Sequence, residues 1–275
     1  FKVVNEIDFT LLKKKYGEET LAIERSQLHR ALYEQVEMSD LHFKKRLQAL
    51  HNRKDGVELI FQDGSHEQFD YCIGADGLHS VVRQQLTDQT KLRYAGYTCW
   101  RGITKGISIE AHLSSEAWAP FGRFGFAPLK NGDIYWFACL NSIPNNPAYK
   151  EMTKQDLAQH FSQYNDLVKE IIVQTEDESF LHHDLYDIKP LDQYVYGRTM
   201  LLGDAAHATT PNMGQGAGQS IEDSEMLYEG LKRGLSIDET FHFYERKRLK
   251  KANKVIRLSR QIGWFAQWTS PFFTR

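Results

Sequence analysis

Residues 201–220, with the sequence LLGDAAHATTPNMGQGAGQS, combine one acid at the end of an apolar run with a glycine-rich segment before a helix. A carboxylate such as that of Asp204 accepts hydrogen bonds from the hydroxyl groups of a sugar-like chain. The free N–H groups at a helix N-terminus stabilise negative charge. This pattern suits a ligand that carries both hydroxyl groups and a negative charge. Because glycine-rich turns are common, an ordinary strand, loop and helix is an equally good interpretation of the spacing alone.

The elements around this segment follow from its apolar residues. Residues 199–202 form a short apolar run, which predicts a buried strand that ends before Asp204. After a loop that contains Pro211, the glycines from Gly214 onward allow the backbone to approach a ligand closely. A helix that ends near Gly234 follows. Its apolar residues, at the spacing of an amphipathic helix, are Ala217, Ile221, Leu227, Leu231 and Leu235.

Two further segments have residues of the types that hold a ligand. Residues 71–83, YCIGADGLHSVVR, predict a strand, a turn with Asp76 and a helix capped by Ser80. Residues 23–32, IERSQLHRAL, lead into a predicted helix at about 26–38, with Arg25 at its start. Taken alone, the first segment fits any capped helix after a parallel strand. Arg25 alone fits a basic residue exposed to solvent.

The three segments together resemble those of the group A flavoprotein monooxygenases, the family of para-hydroxybenzoate hydroxylase. In that family a GDAAH stretch is followed by a proline and a GQGAG-like turn, and a short DG motif lies upstream. The resemblance covers nearly the whole chain and implies FAD as the cofactor. The residues that it implies for FAD binding are Arg25, Asp76, Arg83, Asp204, Pro211, Gly214, Gln215, Gly216 and Ala217.

One expected part of such a protein has no counterpart in this sequence. Members of the family begin with a strand, a G-x-G-x-x-G turn and a helix that binds the FAD pyrophosphate. The chain begins at Phe1 and contains no such fingerprint, so we expect a fragment that lacks the first βαβ unit. Residues 201–220 are then expected to form the ribityl and isoalloxazine half of a FAD site. A truncated chain without cofactor and without activity is an alternative expectation.

The composition is that of an ordinary globular chain. Its 275 residues are 41% hydrophobic, enough for two cores, and its net charge of −2 argues against nucleic-acid binding. Eight basic residues between 244 and 260 are interpreted as the solvated face of a C-terminal helix. The three cysteines are far apart, and the histidines lack metal-ligand spacing, so we predict no metal and a reducing, cytoplasmic setting. We expect no stable membrane insertion, and a monomer or homodimer.

The order of the elements predicts an α/β chain with mixed sheets. A β-meander, whose first strand is predicted at 41–50, leads into a parallel strand. Long aromatic-rich segments from 92 to 140 predict a larger, mixed but largely antiparallel sheet, and residues 154–173 predict a helix. The predicted domains are a discontinuous, three-layer FAD- and NAD(P)-binding domain at 1–90 and 191–275, and a substrate-binding domain at 91–190.

Two polar residues of the aromatic-rich segments are candidates for contacting a substrate. Arg123 lies in FGRFGFAPL, and Tyr135 follows twelve residues later on the next predicted strand. An arginine and a tyrosine at this spacing resemble those with which flavin-dependent urate hydroxylases hold an anionic substrate. A structural ion pair for Arg123 and a core position for Tyr135 are equally good interpretations. His207 follows the GDAA turn, and the resemblance implies that it belongs to the scaffold.

The resemblance implies a monooxygenase that hydroxylates an aromatic or cyclic small molecule. NADH or NADPH reduces FAD, the reduced flavin and dioxygen form a C4a-hydroperoxide, and its terminal oxygen passes to the substrate. An isoprenoid epoxidase of the zeaxanthin epoxidase type is an alternative, because YTCWRGI at 97–103 is similar to a segment of that group. A flavin-dependent halogenase is disfavoured, because the sequence has no W-x-W segment.

Overall fold

The computed structural model describes residues 14–15, 17, 22–89, 91–110 and 114–268. Their helices and strands form two compact units. The five-stranded unit contains the described parts of residues 1–41, 96–184 and 266–275, and the two-sheet unit contains those of 42–95 and 185–265. The predicted α/β fold with mixed sheets is confirmed.

The first sheet of the two-sheet unit is an antiparallel meander. Its strands, in spatial order, are β1 (Leu47–Asn52), β2 (Val57–Phe61) and β3 (His66–Phe69). The predicted meander is confirmed, but the prediction that its first strand begins at residue 41 is wrong. Lys44 has a positive φ of 60°, a turn conformation that interrupts an extended chain, so β1 starts only at Leu47.

The second sheet joins two of the three sequence segments that were predicted to hold a ligand. It consists of β10 (Val195–Tyr196), β11 (Thr199–Leu201) and β4 (Cys72–Gly74), in that order. Strands β11 and β4 are parallel, as predicted, whereas the short β10 pairs with β11 in antiparallel fashion. Since the carboxyl ends of parallel strands lie at the same edge of a sheet, the turns after β4 and β11 emerge side by side.

Four helices complete the two-sheet unit. The predicted cap of the first helix is confirmed, because the Ser80 hydroxyl accepts a hydrogen bond from the backbone N–H of Arg83. A short helix occupies part of the segment that was predicted to be a loop after Asp204. The helices are α2 (Val81–Leu86), α6 (Asp204–His207), α7 (Gly216–Lys232) and α8, which spans Ile237–Ala266 and ends in the five-stranded unit.

Helix α7 packs with a polar face inward, which the apolar spacing did not predict. Ile221 is 60% exposed and Leu231 49% exposed, whereas Gln219 and Asp223 are buried. The reason is that the inward face of α7 binds Arg248, a buried cation of α8. Gly234, with a φ of 74°, follows the helix end, as predicted.

The five-stranded unit is built around one sheet. Its spatial order is β6 (Ser115–Ala119), β7 (Gly122–Pro128), β8 (Ile134–Asn141), β5 (Leu92–Thr104) and β9 (Leu181–Ile188). The chain passes between the two units within β5 and within β9. Strand pairs β6/β7, β7/β8 and β8/β5 are antiparallel, which confirms the sheet predicted from the aromatic-rich segments.

The helices of this unit are shorter than predicted. The helix predicted at 154–173 is two helices, because Asn165 caps the second one by accepting a hydrogen bond from Val168 N–H. The helix predicted at 26–38 ends at Tyr33. The helices are α1 (Arg25–Tyr33), α3 (Pro147–Lys150), α4 (Lys154–His160) and α5 (Asp166–Gln174). None of the helices in the described ranges has the length and apolar character that a membrane crossing requires.

The two faces of the five-stranded sheet have different surroundings. Alternate residues of β8, such as Trp136 and Ala138, are buried in a core with Leu157 of α4 and Ile171 of α5. The residues between them point to the opposite face, as the period of a strand requires. We call this opposite face the distal face; its residues are Tyr97, Cys99, Arg101, Ile103, Glu116, Trp118, Arg123, Gly125, Ala127, Tyr135, Phe137, Cys139 and Asn141.

Candidate active site

Asp204 lies at the turn that follows β11. Gly203 has a φ of 60° and a ψ of −139°, and Asp204 is the first residue of α6. The Asp204 side chain is exposed, and its carboxylate forms no hydrogen bond with any residue that the structure describes. This carboxylate is therefore available to accept hydrogen bonds from a ligand, as the sequence predicts.

Arg83 connects the turn after β4 with the turn after β11. Its guanidinium donates hydrogen bonds to the backbone carbonyls of Ala205 at 2.9 Å, Leu78 at 2.5 Å and Asp204 at 3.4 Å. Burial lowers the pKa of Arg83, although the charges of Asp76 and Asp204 oppose this shift. The Nε–H of Arg83 is buried and has no acceptor among the described residues, so the visible role of this side chain is to hold the two turns together.

The Asp76 carboxylate is engaged at the start of α2. It accepts hydrogen bonds from the Ser80 hydroxyl at 2.5 Å, Val81 N–H at 2.7 Å and Val82 N–H at 3.1 Å. A carboxylate in this position stabilises the helix N-terminus. Asp76 thus shapes the turn beside Arg83, and its contact with FAD stays a prediction.

The glycine-rich segment provides an open helix start. Pro211 begins a 3-10 turn that Gly214 ends in the left-handed conformation, and Gln215 and Gly216 lead into α7. A Cβ atom added at Gly218 would meet no atom within 4 Å. The N–H groups of a first helical turn have no acceptor within the helix. These donors and the carboxylate of Asp204 fit a ligand that has both hydroxyl groups and negative charge. FAD is such a ligand.

The predicted FAD residues fall in both units. Ala217 lies in the first turn of α7, and Arg83, Asp204 and their neighbours also belong to the two-sheet unit. Arg25 belongs to the five-stranded unit, where it is exposed as the first residue of α1. Its contact with FAD stays a prediction.

A buried carboxylate, which the sequence did not single out, holds the turn after β11. One oxygen of Asp223 accepts hydrogen bonds from Gly203 N–H at 2.9 Å and contacts His207 Nε2 at 2.6 Å. Its other oxygen accepts from Arg248 Nε at 2.7 Å. Asp223, His207 and Arg248 are all buried. The predicted scaffold position of His207 thus has a physical basis, since its ring fixes Asp223 beneath the turn.

Arg248 extends this network along α7. It donates to the side-chain oxygen of Gln219 at 2.7 Å and also pairs with Glu222, which in turn binds Lys251 at 2.6 Å. Burial acts to raise the pKa of Asp223, but the hydrogen bonds from His207, Arg248 and the Gly203 N–H outweigh burial and hold this pKa below its ordinary value. Asp223 is therefore ionised in the folded protein, and its charge stabilises the fold.

The loop between α6 and α7 is tied to α8. The Ser259 hydroxyl donates a hydrogen bond of 2.6 Å to the carbonyl of Thr210, and Asn212 donates one of 2.9 Å to the carbonyl of Ser259. Both contacts precede the glycine-rich segment. They fix the chain at the point where it turns into the first residues of α7.

In the five-stranded unit, the predicted substrate residue Arg123 is buried and ion-paired. It is 3% exposed, it binds Glu116 at 3.2 Å, and its guanidinium lies 5.4 Å from the ring centre of Tyr97. Burial disfavours the charge of Arg123, but Cys139, Glu116 and Tyr97 outweigh burial and raise its pKa. Arg123 is thus a permanently charged group whose charge is compensated within the sheet.

Tyr135 lies on the same distal face but far from Arg123. Arg123 is opposite Cys139, four residues from Tyr135 on β8, which corresponds to about 13 Å along a strand. Burial, followed by the charge of Cys99, raises the pKa of Tyr135 to about 12. Its hydroxyl therefore stays protonated at neutral pH and can donate a hydrogen bond.

Three residues that shape the site have only a weak signal in the sequence. Asp223 and Arg248 are polar residues of long helices, where exposure is the usual expectation. Glu116 lies seven residues before its partner Arg123, across a turn. In the described ranges, no group of three or more histidine, cysteine or acidic residues is placed to hold a metal ion.

The arrangement is that of an α/β protein with a candidate cofactor site after two parallel strands. The family model of the FAD binding domain matches residues 4–259. The chain belongs to this family, the FAD-dependent group A hydroxylases of aromatic compounds, which confirms the resemblance seen in its motifs. FAD is the cofactor of the family.

Two curated relatives match most of this chain. The aurachin C monooxygenase/isomerase of Stigmatella aurantiaca is 34% identical over 93% of this chain and 67% of its own length. The 2-heptyl-3-hydroxy-4(1H)-quinolone synthase of Pseudomonas aeruginosa is 30% identical over 92% of this chain and 66% of its own. The chain thus spans about two thirds of the length of these relatives.

Solved structures show the same fold. The structure of HpxO from Klebsiella pneumoniae with FAD and uric acid is similar with a TM-score of 0.85 and 26% identity, over 94% of this chain and 67% of the other. A salicylate hydroxylase substrate complex is similar with a TM-score of 0.76 and 26% identity, over 92% of this chain and 68% of the other.

Substituting Asp223 by Asn should destabilise the protein at pH 7 by about 3–5 kcal/mol, because Arg248 and His207 then lack a buried charge partner. A carboxylate whose pKa is lowered by folding stabilises above its unfolded pKa, and this contribution is lost as pH falls through the folded pKa. The difference between wild type and Asp223→Asn should therefore shrink below about pH 4. The free energy of unfolding of both proteins is measured by urea unfolding, followed by circular dichroism, at several pH values.

Asp88→Asn is the matched control, since Asp88 is an exposed aspartate of the same unit. It should leave the free energy of unfolding within about 0.5 kcal/mol of wild type. A constant difference between wild type and Asp223→Asn from pH 7 to pH 3 would show that Asp223 is not the titrating group.

Proposed function

We propose that the protein is a monooxygenase that adds one oxygen atom to a planar aromatic or heteroaromatic ring, with NADH or NADPH as the reductant. The observation that carries this proposal is the free Asp204 carboxylate beside the open first turn of α7, in a chain of the FAD binding domain family. The names of relatives refer to quinolone, urate, hydroxynicotinate and hydroxybenzoate rings, which support a ring as the substrate.

In this proposal the two-sheet unit binds the cofactor. Asp204 accepts a hydrogen bond from a ribityl hydroxyl, and the N–H groups of Gly216 and Ala217 face the negative charge of the reduced ring. Arg83 holds the turn that carries Asp204 through its hydrogen bond to the Ala205 carbonyl. When bound, FAD supplies the activation of dioxygen for transfer of one oxygen atom.

The five-stranded unit binds the substrate in this proposal. Its distal face carries aromatic side chains and the hydroxyl of Tyr135, which is a hydrogen-bond donor throughout the neutral range. A donor fixed on a sheet orients a ring more accurately than one on a loop. The ion pair of Arg123 with Glu116 supports the structural interpretation of Arg123, whose contact with the substrate stays a prediction.

The direct test of this function is oxygen incorporation. Flavin-loaded protein is incubated with ¹⁸O₂, NADH or NADPH, and a panel that contains hydroxylated and oxo-substituted rings as well as isoprenoids. We expect substrate-stimulated oxidation of the reductant and a product that contains one ¹⁸O atom, detected by mass spectrometry. A label found in an isoprenoid double bond would favour the epoxidase instead, and a protein that binds no flavin would support the inactive alternative.

Substituting Asp204 by Ala should weaken FAD binding by about tenfold, because a ribityl hydroxyl loses a charged acceptor worth roughly 1.5 kcal/mol. The Kd for FAD is measured by titration of the apoprotein with fluorescence detection. Because Asp204 is exposed, thermal stability without flavin should not change. Asp88→Ala is the control, and an unchanged Kd in Asp204→Ala would remove Asp204 from the cofactor site.

Substituting Tyr135 by Phe should lower kcat/KM for the ring substrate by about fivefold to tenfold, since a neutral hydrogen bond contributes roughly 1 kcal/mol. FAD binding should stay unchanged. The matched control is Tyr164→Phe, which removes a hydroxyl that binds the Gly122 carbonyl at 2.9 Å in the helix-covered core. Tyr164→Phe should lower stability but not kcat/KM. If Tyr135→Phe lowered stability and left kcat/KM unchanged, Tyr135 would be a packing residue.

A further inference from the structure

Arg101 is a second cation of the distal face, and it differs from Arg123 in its surroundings. It lies on β5 directly opposite Phe137 of β8. The side chain is exposed, and its guanidinium forms no hydrogen bond or ion pair with any residue that the structure describes. Arg123 is buried and paired with Glu116. Arg101 is therefore a cation of this face whose five donors remain available.

Arg101 and Tyr135 are close enough to act on one group. Tyr135 is opposite Ile103, two residues from Arg101 on the same strand. Such diagonal neighbours are about 7–8 Å apart between Cα atoms, within reach of long side chains. The positive charge of Arg101 also opposes the rise in the pKa of Tyr135 and, after burial, lowers the pKa of His183. These two effects agree with the diagonal placement of Arg101 and Tyr135 on the sheet.

The side chain of Phe137 does not fill the space between Arg101 and Tyr135. Phe137 lies two residues from Tyr135 on β8, and its ring leans toward β7, where Gly125 has no side chain. A Cβ atom added at Gly125 would lie 2.4 Å from the Phe137 ring, so the ring occupies that space. The ring is therefore displaced away from β5, the strand that carries Arg101.

We propose that Arg101 and Tyr135 together bind an oxygen substituent of the substrate ring, either a carbonyl oxygen or the oxyanion of a phenol or enol. Both side chains are donors at neutral pH, so the acceptor must come from the ligand. A guanidinium and a hydroxyl that converge on one oxygen form charge-assisted hydrogen bonds, which are the stronger kind. This inference rests on the proposed function, because it assigns the substrate group that the distal face recognises.

The test uses two rings that differ by one oxygen, 4-hydroxyquinoline and quinoline. Their Kd values are measured by isothermal titration calorimetry on flavin-loaded protein, for wild type, Arg101→Gln and Arg101→Lys. We expect Arg101→Gln to weaken the binding of 4-hydroxyquinoline about tenfold and the binding of quinoline less than twofold. Arg101→Lys keeps the charge and should recover most of the affinity. The melting temperature should not change, because Arg101 is exposed.

Arg123→Gln provides the contrast on the same face. It leaves Glu116 without its cation and should lower the melting temperature, with equal effects on the two rings. The assignment to Arg101 would be overturned if Arg101→Gln lost affinity equally for both rings. It would also be overturned if Arg123→Gln, and not Arg101→Gln, lost affinity only for the ring that carries oxygen. If wild type binds neither ring and oxidises no substrate of the wider panel, the proposed function itself fails. Substrate oxidation with an unchanged KM in Arg101→Gln defeats this inference alone.

Discussion

The carboxylate of Asp223 binds three donors from two separate parts of the chain: the backbone of Gly203 and the ring of His207 at the two ends of α6, and the guanidinium of Arg248 on α8. Such a charge is stable away from water only when it is paired and its remaining lone pairs are satisfied. Here all three donors are in place at once. The turn after β11 is therefore coupled to both long helices, and Asp204 owes its orientation to a contact nineteen residues further along the chain.

This coupling explains why two of the sequence segments predicted to bind the cofactor are held together. Arg83 reaches from α2 to the carbonyl of Ala205, so the turn after β4 is fixed to the turn after β11. Tyr244 of α8 donates a hydrogen bond of 3.0 Å to the carbonyl of Leu201 at the end of β11. Each of these side chains donates its hydrogen bond to a backbone carbonyl at the turn. The side chain of Asp204 is thereby left free for a ligand.

The sequence was sufficient to predict the parallel pair β4 and β11, the meander and the antiparallel sheet, because these depend on local apolar patterns and turn residues. It was insufficient for α7. There the apolar spacing favoured Ile221 as a buried residue, yet Asp223 is the buried one. A periodicity argument assumes that the inward face is apolar, and it fails where a buried cation such as Arg248 supplies the partner.

The polar residues of the distal face also show what periodicity in the sequence does not predict. Arg101 and Arg123 both alternate outward from buried neighbours, so strand periodicity places them on one face. Sequence alone has no means to tell which of the two is compensated, because Glu116 meets Arg123 only through the register of β6 with β7. The resemblance to urate hydroxylases selected Arg123 by its spacing from Tyr135, and spacing carries no information on ion pairing.

Charge compensation separates the structural from the available polar groups in both units. Asp223 and Arg123 are buried and matched by opposite charges, so each stabilises the fold but has little capacity for a further ligand. Asp204 and Arg101 are exposed and have no partner among the described residues. An anionic acceptor beside an open helix start suits the hydroxyl groups of a cofactor, whereas a cation beside a protonated tyrosine suits an oxygen on a ring. Within the proposed sites, the exposed charge of the two-sheet unit is thus negative and that of the five-stranded unit positive.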